Sequence, residues 1–144
     1  MHQIRPYQGL EINGFILGEK LHQGGFATIW DVTHALYRTP MVMKVPTILD
    51  GYDGPTIVGF EVEQMFMPRL TGPHVPRVMG EGDFSQMAYI VTERIPGPSL
   101  LSLFKTAPRP LSEGIEVSAR MAAALHDLHR QHVIHLDLKP DNFL

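Results

Sequence analysis

Val133-Ile134-His135-Leu136-Asp137-Leu138-Lys139-Pro140-Asp141-Asn142-Phe143-Leu144 is the stretch on which the reading of this chain turns. A short strand followed by a proline turn would account for Pro140. It would not account for His135, Asp137, Lys139 and Asn142 occurring together. Just upstream, Ala123-Ala124-Leu125-His126-Asp127-Leu128-His129 leads into this run with helical spacing.

The bulk properties set limits. The 144 residues are 44% apolar, enough for one good core and one domain by length. A net charge of -3 gives no basic field, so nucleic acid is not an expected partner. The absence of cysteine excludes a disulfide scaffold and fits a reducing, cytoplasmic setting. No run of eighteen apolar residues occurs, and Met1-His2-Gln3-Ile4-Arg5-Pro6 lacks a signal peptide's apolar stretch, so no membrane association is expected.

The first hundred residues read as β-rich. Phe15 to Leu21 predicts a strand, Gln23-Gly24-Gly25 a turn, and Phe26 to Thr33 a returning strand with alternating pattern. Met41 to Val45 predicts a third strand bounded by Pro40 and Pro46. After a Gly/Pro-rich stretch over 50–55, Thr56 to Met67 has helical spacing, and Pro68 should kink or end that helix. Val75 to Met79 and Ala88 to Ile95 predict two more strands. Ile95-Pro96-Gly97-Pro98-Ser99 reads as a break before a short helix over Leu100 to Phe104. From Ser112, with Glu113 and Glu116 as a capped start, a long helix is predicted. One of its faces is Ile115, Ala119, Ala122, Leu125 and Leu128, and a second is Val117, Met121 and Ala124.

Three further stretches belong with the first. Leu21-His22-Gln23-Gly24-Gly25-Phe26-Ala27-Thr28-Ile29 is a glycine-bearing hairpin, which taken alone fits a plain β-turn. Met41-Val42-Met43-Lys44 places a lysine on an apolar strand fifteen residues after Ile29, where an edge or solvent position would be the ordinary explanation. Tyr89-Ile90-Val91-Thr92-Glu93-Arg94-Ile95-Pro96-Gly97 is an apolar strand ending in a Pro-Gly break.

Together these stretches resemble the eukaryotic-type (Hanks-type) Ser/Thr protein kinases from about Phe15 to Leu144, and a prokaryotic-style member is expected. The resemblance implies an α+β fold: a kinase-like N-lobe of about five antiparallel strands plus an αC-like helix, then a helical start of the C-lobe. It divides the chain into an N-terminal extension (1–14), an N-lobe (15–95) and a hinge with the first part of a C-lobe (96–144).

The implied activity is ATP- and Mg²⁺-dependent phosphoryl transfer to Ser/Thr hydroxyls of a protein substrate. Gly24, Gly25, Phe26 and Ala27 would cover the nucleotide phosphates, and Leu21, Ile29 and Val42 would also line the ATP site. His22 stands where the family has its first glycine, and Val42 where it has alanine, which should crowd the pocket roof. Lys44 would grip the α- and β-phosphates and be held by a helix carboxylate. Glu63 is the candidate, three residues after Phe60, with Glu61 the rival. Thr92 would be the gatekeeper, the backbone of Glu93 and Ile95 would meet adenine, and Ser99 could reach the ribose. Asp137 would accept or orient the substrate hydroxyl proton, Lys139 would stabilise the transferred group, and Asn142 would ligate the metal. Leu136 replaces the family's usual arginine, which argues against control by a phosphorylated activation loop.

Two other classes stay open. A small-molecule phosphotransferase shares H-x-D-x-x-x-x-N, although Lys139-Pro140 and the Gly24 to Ala27 loop favour a protein kinase. A non-catalytic nucleotide- or protein-binding module is the other, because the family's Asp-Phe-Gly does not occur in the 144 residues and low activity is therefore expected. His126 and His129 lie i, i+3 on a helix, but no carboxylate or thiol motif supports a zinc site there. The apolar helix over 112–130 is expected to drive homodimerisation through Ile115, Met121, Leu125 and Leu128.

Overall fold

A computed structural model describes residues 4–48 and 54–144. The expected Gly/Pro-rich stretch over 50–55 therefore lies, for residues 50–53, outside the described residues, as do Met1 to Gln3. The chain divides into two compact units, one of residues up to Arg69 with Pro76–Arg94, the other of Leu70–Val75 with Ile95–Leu144.

Among its described residues, the first unit is built on one antiparallel sheet of six strands in the order β1-β2-β3-β4-β6-β5. These are β1 (Glu11–Ile12), β2 (Phe15–Gln23), β3 (Ala27–His34), β4 (Tyr37–Pro46), β5 (Val78–Gly82) and β6 (Tyr89–Glu93). The sixth strand beyond the expected five is β1, whose two residues pair with Ile16 and Phe15. It lies in the stretch read as an extension, and it helps to close the core: Leu10 and Ile12 are buried beside Phe15, Leu17, Trp30 and Val32.

Alternation sorts the strands into two faces. On β4, Met41, Met43 and Val45 are buried while Val42 and Lys44 are half-buried. On β6, Tyr89 and Val91 join the main core with Met87, whereas Ile90 and Ala88 form a second cluster with Phe60 on the other face. Phe60 belongs to α1 (Gly54–Phe66), and its ring meets Phe84 edge-on with centroids 6.2 Å apart. Burying such a side chain contributes about 1.5–3 kcal/mol and fixes which face of the sheet the helix covers. Pro68 ends α1 as expected, in a 3-10 turn over Met67–Arg69.

β5 begins at Val78 rather than Val75. Pro76 has no amide to give the ladder, so the strand starts beyond it. Its glycines have a packing reason. A Cβ on Gly80 would stand 2.7 Å from the Phe15 ring, so only glycine leaves room for that aromatic.

The second unit contains α2 (Leu100–Phe104) and α3 (Leu111–Arg130). α3 starts one residue before Ser112, with Pro110 at the cap position and no side-chain cap bond, so the expected serine cap is replaced. Arg109, just before the helix, donates to the Glu113 side chain at 2.5 Å, and the pair holds the Glu113 carboxyl below its usual range. The half-buried stripe of α3 is Val117, Met121, Ala124, Leu125 and Leu128, an i, i+4, i+7, i+8, i+11 series. Ile115, Ala119 and Ala122 are exposed, so the two faces expected from sequence merge into a different single one. Residues 70–75 are held to α3's end by His74 Nδ1 and Asp127 Oδ2 at 2.6 Å and by Thr71 and Gln131.

Candidate active site

In the first unit, strand register decides which side chains share a face. Directly opposed residues of an antiparallel pair project to the same side. Ile29 opposes Lys44 and Lys44 opposes Ile90, while Asp31 opposes Val42 and Val42 opposes Thr92. Ile29, Asp31, Val42, Lys44, Ile90 and Thr92 therefore share the face that α1 covers through Phe60 on Ile90. Glu63, one helical turn beyond Phe60, comes down beside Lys44.

Lys44 Nζ donates to both Glu63 carboxylate oxygens, at 2.8 and 2.6 Å. Glu61 is exposed. The Lys44 and Glu63 side chains remain 36% and 33% accessible. A pair so wet adds a fraction of a kcal/mol to stability, so it positions the ammonium more than it stabilises the fold.

The glycine-bearing loop closes through Gly24 N–H, which donates to the Ala27 carbonyl at 2.9 Å. Its tip is anchored from β4's end by Thr47 N–H on the Phe26 carbonyl, while the Phe26 ring is 78% exposed. A Cβ on Gly25 would meet nothing within 4 Å. Just before the loop, β2 advances two residues from Lys20 to His22 while β3 steps one, from Trp30 to Ile29. This bulge puts both Leu21 and His22 opposite Ile29.

At the other end of β6, the Glu93 N–H is spent on the Arg77 carbonyl at 2.9 Å, and Glu93 Oε1 accepts the Arg77 N–H at 2.8 Å. Of Glu93's backbone groups only the carbonyl could face a ligand. Thr92 and Val42 are both half-buried.

In the second unit, Ile95 is half-buried, and Gly97 takes φ +108°, which L side chains rarely adopt. Ser99 precedes α2 with extended backbone and no side-chain cap bond, so its hydroxyl is not committed to capping that helix. Leu100 N–H donates to the Phe143 carbonyl at 2.8 Å, joining this segment to the end of the described chain.

Asp137, Lys139 and Asn142 are brought together there. Lys139 Nζ lies 2.9 Å from Asp137 Oδ2, and Asn142 Nδ2 donates to the Asp137 carbonyl at 2.8 Å. The hydrogen bond from Lys139, helped by Asn142 and the nearby His135, holds the Asp137 carboxyl below its usual range. Lys139 is in turn raised by Asp137. Pro140 to Asn142 forms a 3-10 turn that returns Asn142 to Asp137. His135 is half-buried, whereas Leu136, where the family has arginine, is 94% exposed.

Sequence reading brought Lys44 and Glu63 together by spacing, and Asp137, Lys139 and Asn142 by proximity in the chain. It missed the bulge at Leu21 and His22, whose one signal was a histidine where the related loops have glycine. It also missed the Arg77–Glu93 exchange, which leaves no pattern in sequence.

Comparison with known proteins follows the same lines. The protein kinase domain family matches residues 15–144. The probable serine/threonine-protein kinase PknB of Lactococcus lactis subsp. lactis is 28% identical over 128 residues, covering 88% of this chain and 20% of that protein. The serine/threonine-protein kinase PknF of Mycobacterium tuberculosis is 26% identical over 140 residues, covering 95% of this chain and 29% of that protein. The chain thus spans between about a fifth and about a third of these relatives' lengths. A crystal structure of the Mycobacterium tuberculosis PknI kinase domain superposes with a TM-score of 0.77 at 21% identity, over 95% of this chain and 56% of that one. The fold is that of a kinase N-lobe with helices of the following lobe, and the chain belongs to the protein kinase domain family.

Proposed function

We propose that the chain carries the nucleotide-binding face and catalytic loop of a Ser/Thr protein kinase, which moves a phosphoryl group from ATP to Ser/Thr hydroxyls of a protein. The observation that carries this reading is the Lys44–Glu63 contact. The fold gains little from so accessible a pair, and a strand lysine tethered by a helix carboxylate is what the kinase resemblance requires of its phosphate-gripping lysine. The Ser/Thr kinases among the relatives support the same substrate class.

In this reading the amides of Gly24 to Ala27 cover the phosphates, and Lys44, held by Glu63, grips them. Leu21, Ile29, Val42 and Thr92 enclose the base, with the Glu93 carbonyl, the Ile95 amide and the Ser99 hydroxyl as polar contacts. Asp137 stays ionised and orients the substrate hydroxyl, and Lys139 supplies positive charge to the transferred group.

The residues fit a magnesium ion. Asn142 commits its NH₂ to the Asp137 carbonyl, which leaves the amide oxygen to meet a cation. Amide and carboxylate oxygens are the donors Mg²⁺ takes, usually only one or two from protein. Among the described residues no group of three or more His, Cys, Asp or Glu that could hold a metal ion gathers. When bound, the ion would neutralise charge on the phosphates.

The 144-residue chain is proposed to bind Mg-ATP weakly and transfer phosphate poorly, to reside in the cytoplasm, and to self-associate through α3, where Ile115 is 62% exposed. Among the described residues no helix is long and apolar enough to cross a membrane. Calorimetry with Mg-ATP on wild type and Lys44→Ala tests the binding reading; equal affinities would remove Lys44 from the site. Phosphate transfer to casein-type proteins, against aminoglycoside and choline acceptors, tests the substrate class. Light scattering tests self-association, which a clean monomer at tens of micromolar would refute.

A further inference from the structure

The bulge in β2 gives His22 a position that no glycine could exploit. Had β2 and β3 stayed in step from Lys20, His22 would lie on the side of Lys20, whose ammonium stands 5.4 Å from the Trp30 ring centroid. Instead His22 opposes Ile29, which opposes Lys44, so imidazole and ammonium occupy one row on one face. Two strand spacings separate them, about 10 Å between α-carbons. The ring also folds toward the loop: His22 Nε2 lies 3.5 Å from the Cβ position of Gly24. A β-bulge beside a binding loop is a recognised means of re-aiming one side chain.

We propose that His22 is a second cationic contact for the nucleotide's phosphates, acting with Lys44, so that nucleotide affinity rises as pH falls through the imidazole range. This rests on the nucleotide-binding reading given above. Imidazole is the side chain whose charge ordinarily changes between about pH 5 and 8, and its protonated form donates from both nitrogens.

The charges around it are few. On β2, Lys20 turns to Trp30 and donates to Gln23 Oε1 at 3.0 Å. On β3, Ile29 and Thr28 are uncharged, and Asp31 on the same face is engaged by Arg94 at 3.3 Å. On β4, Lys44 is neutralised by Glu63 of α1. Two exposed carboxylates remain on these elements, Glu19 on β2 three residues before His22 and Glu61 on α1, and a phosphate must compete with them for His22.

The test is calorimetry on the 144-residue chain with Mg-ATP and with adenosine at pH 5.8 and 8.0, for wild type, His22→Gln, His22→Gly and Lys44→Ala. The expected result is a wild-type ATP affinity about three- to tenfold tighter at acid pH than in the two His22 variants, the range of one exposed charge-assisted contact. Adenosine affinity should be alike in all of them. An unchanged pH slope in His22→Gln overturns the proposal, as does an equal loss for adenosine, which would place the ring on sugar or base. If wild type binds ATP through Lys44 but lacks the slope, only this proposal fails. If wild type binds no ATP at either pH, the nucleotide-binding reading fails with it.

Discussion

Gln131 holds both backbone polar groups of Thr71. Its Oε1 accepts the Thr71 N–H at 2.8 Å, and its Nε2 donates to the Thr71 carbonyl at 2.9 Å. A side-chain amide thus acts as a strand partner for one residue of the 70–75 segment. Gln131→Ala should cost about 1–2 kcal/mol, two ordinary hydrogen bonds partly replaced by water. Hydrogen exchange at the Thr71 amide should accelerate well beyond that of β3 and β4 amides. Unchanged protection at Thr71 would refute this.

The two α1 carboxylates should separate cleanly. Glu63→Ala is expected to weaken Mg-ATP binding by roughly tenfold, because Lys44 then loses its tether. Glu61→Ala, at an exposed position, should leave affinity unchanged and alter stability by no more than about 0.5 kcal/mol. Both are read by calorimetry and urea titration, and a larger binding effect at Glu61 would reverse the assignment.

Asp137 carries a pH prediction. Its carboxyl is held low chiefly by Lys139, so it should remain ionised through pH values at which ordinary aspartates protonate. The sign follows from linkage: a carboxyl depressed in the folded state adds stability above the usual carboxylate range and loses it as pH falls through the lowered value. Lys139→Met should move the titration up toward the ordinary range. Carbon-detected NMR titration of the Asp137 carboxyl checks this; a titration that stays put would mean Lys139 is not its partner.

Two glycine substitutions should have opposite signs. Gly80→Ala places a methyl 2.7 Å from the buried Phe15 ring and should cost about 1–3 kcal/mol as overpacking. Gly114→Ala, inside α3 with nothing within 4 Å of its Cβ position, should gain about 0.5–1 kcal/mol from helix propensity and a less flexible unfolded chain. Urea midpoints of the two variants decide both.

How legible this was depended on whether a feature left a period in the sequence. Met41, Val42, Met43 and Val45 are all apolar, so the sequence of β4 showed no alternation and the way Lys44 faces awaited the sheet, whereas the Phe60 to Glu63 spacing did mark the carboxylate on α1. β1 could not be seen, because two residues display no alternation. The start of β5 was misplaced because Val75 looks like a strand residue until the amide-less Pro76 is weighed. On α3, small residues such as Ala119 and Ala122 fit any face, so its half-buried stripe could not be picked out from the sequence. The Thr71–Gln131 and His74–Asp127 contacts join side chains across long separations and leave no periodic trace.

Residues 70–75 leave one unit and the chain returns to it at Pro76, having donated six residues to the other. That interleaving has a consequence for synthesis. Thr71 is added to the chain 60 residues before Gln131 exists to receive it. At about 5–20 residues per second the delay is about 3–12 s. The sheet's last strand, ending at Glu93, is made well within that interval. A nascent chain therefore carries a finished sheet with an undocked loop through its middle, and that loop is where a chaperone or protease would find its opening.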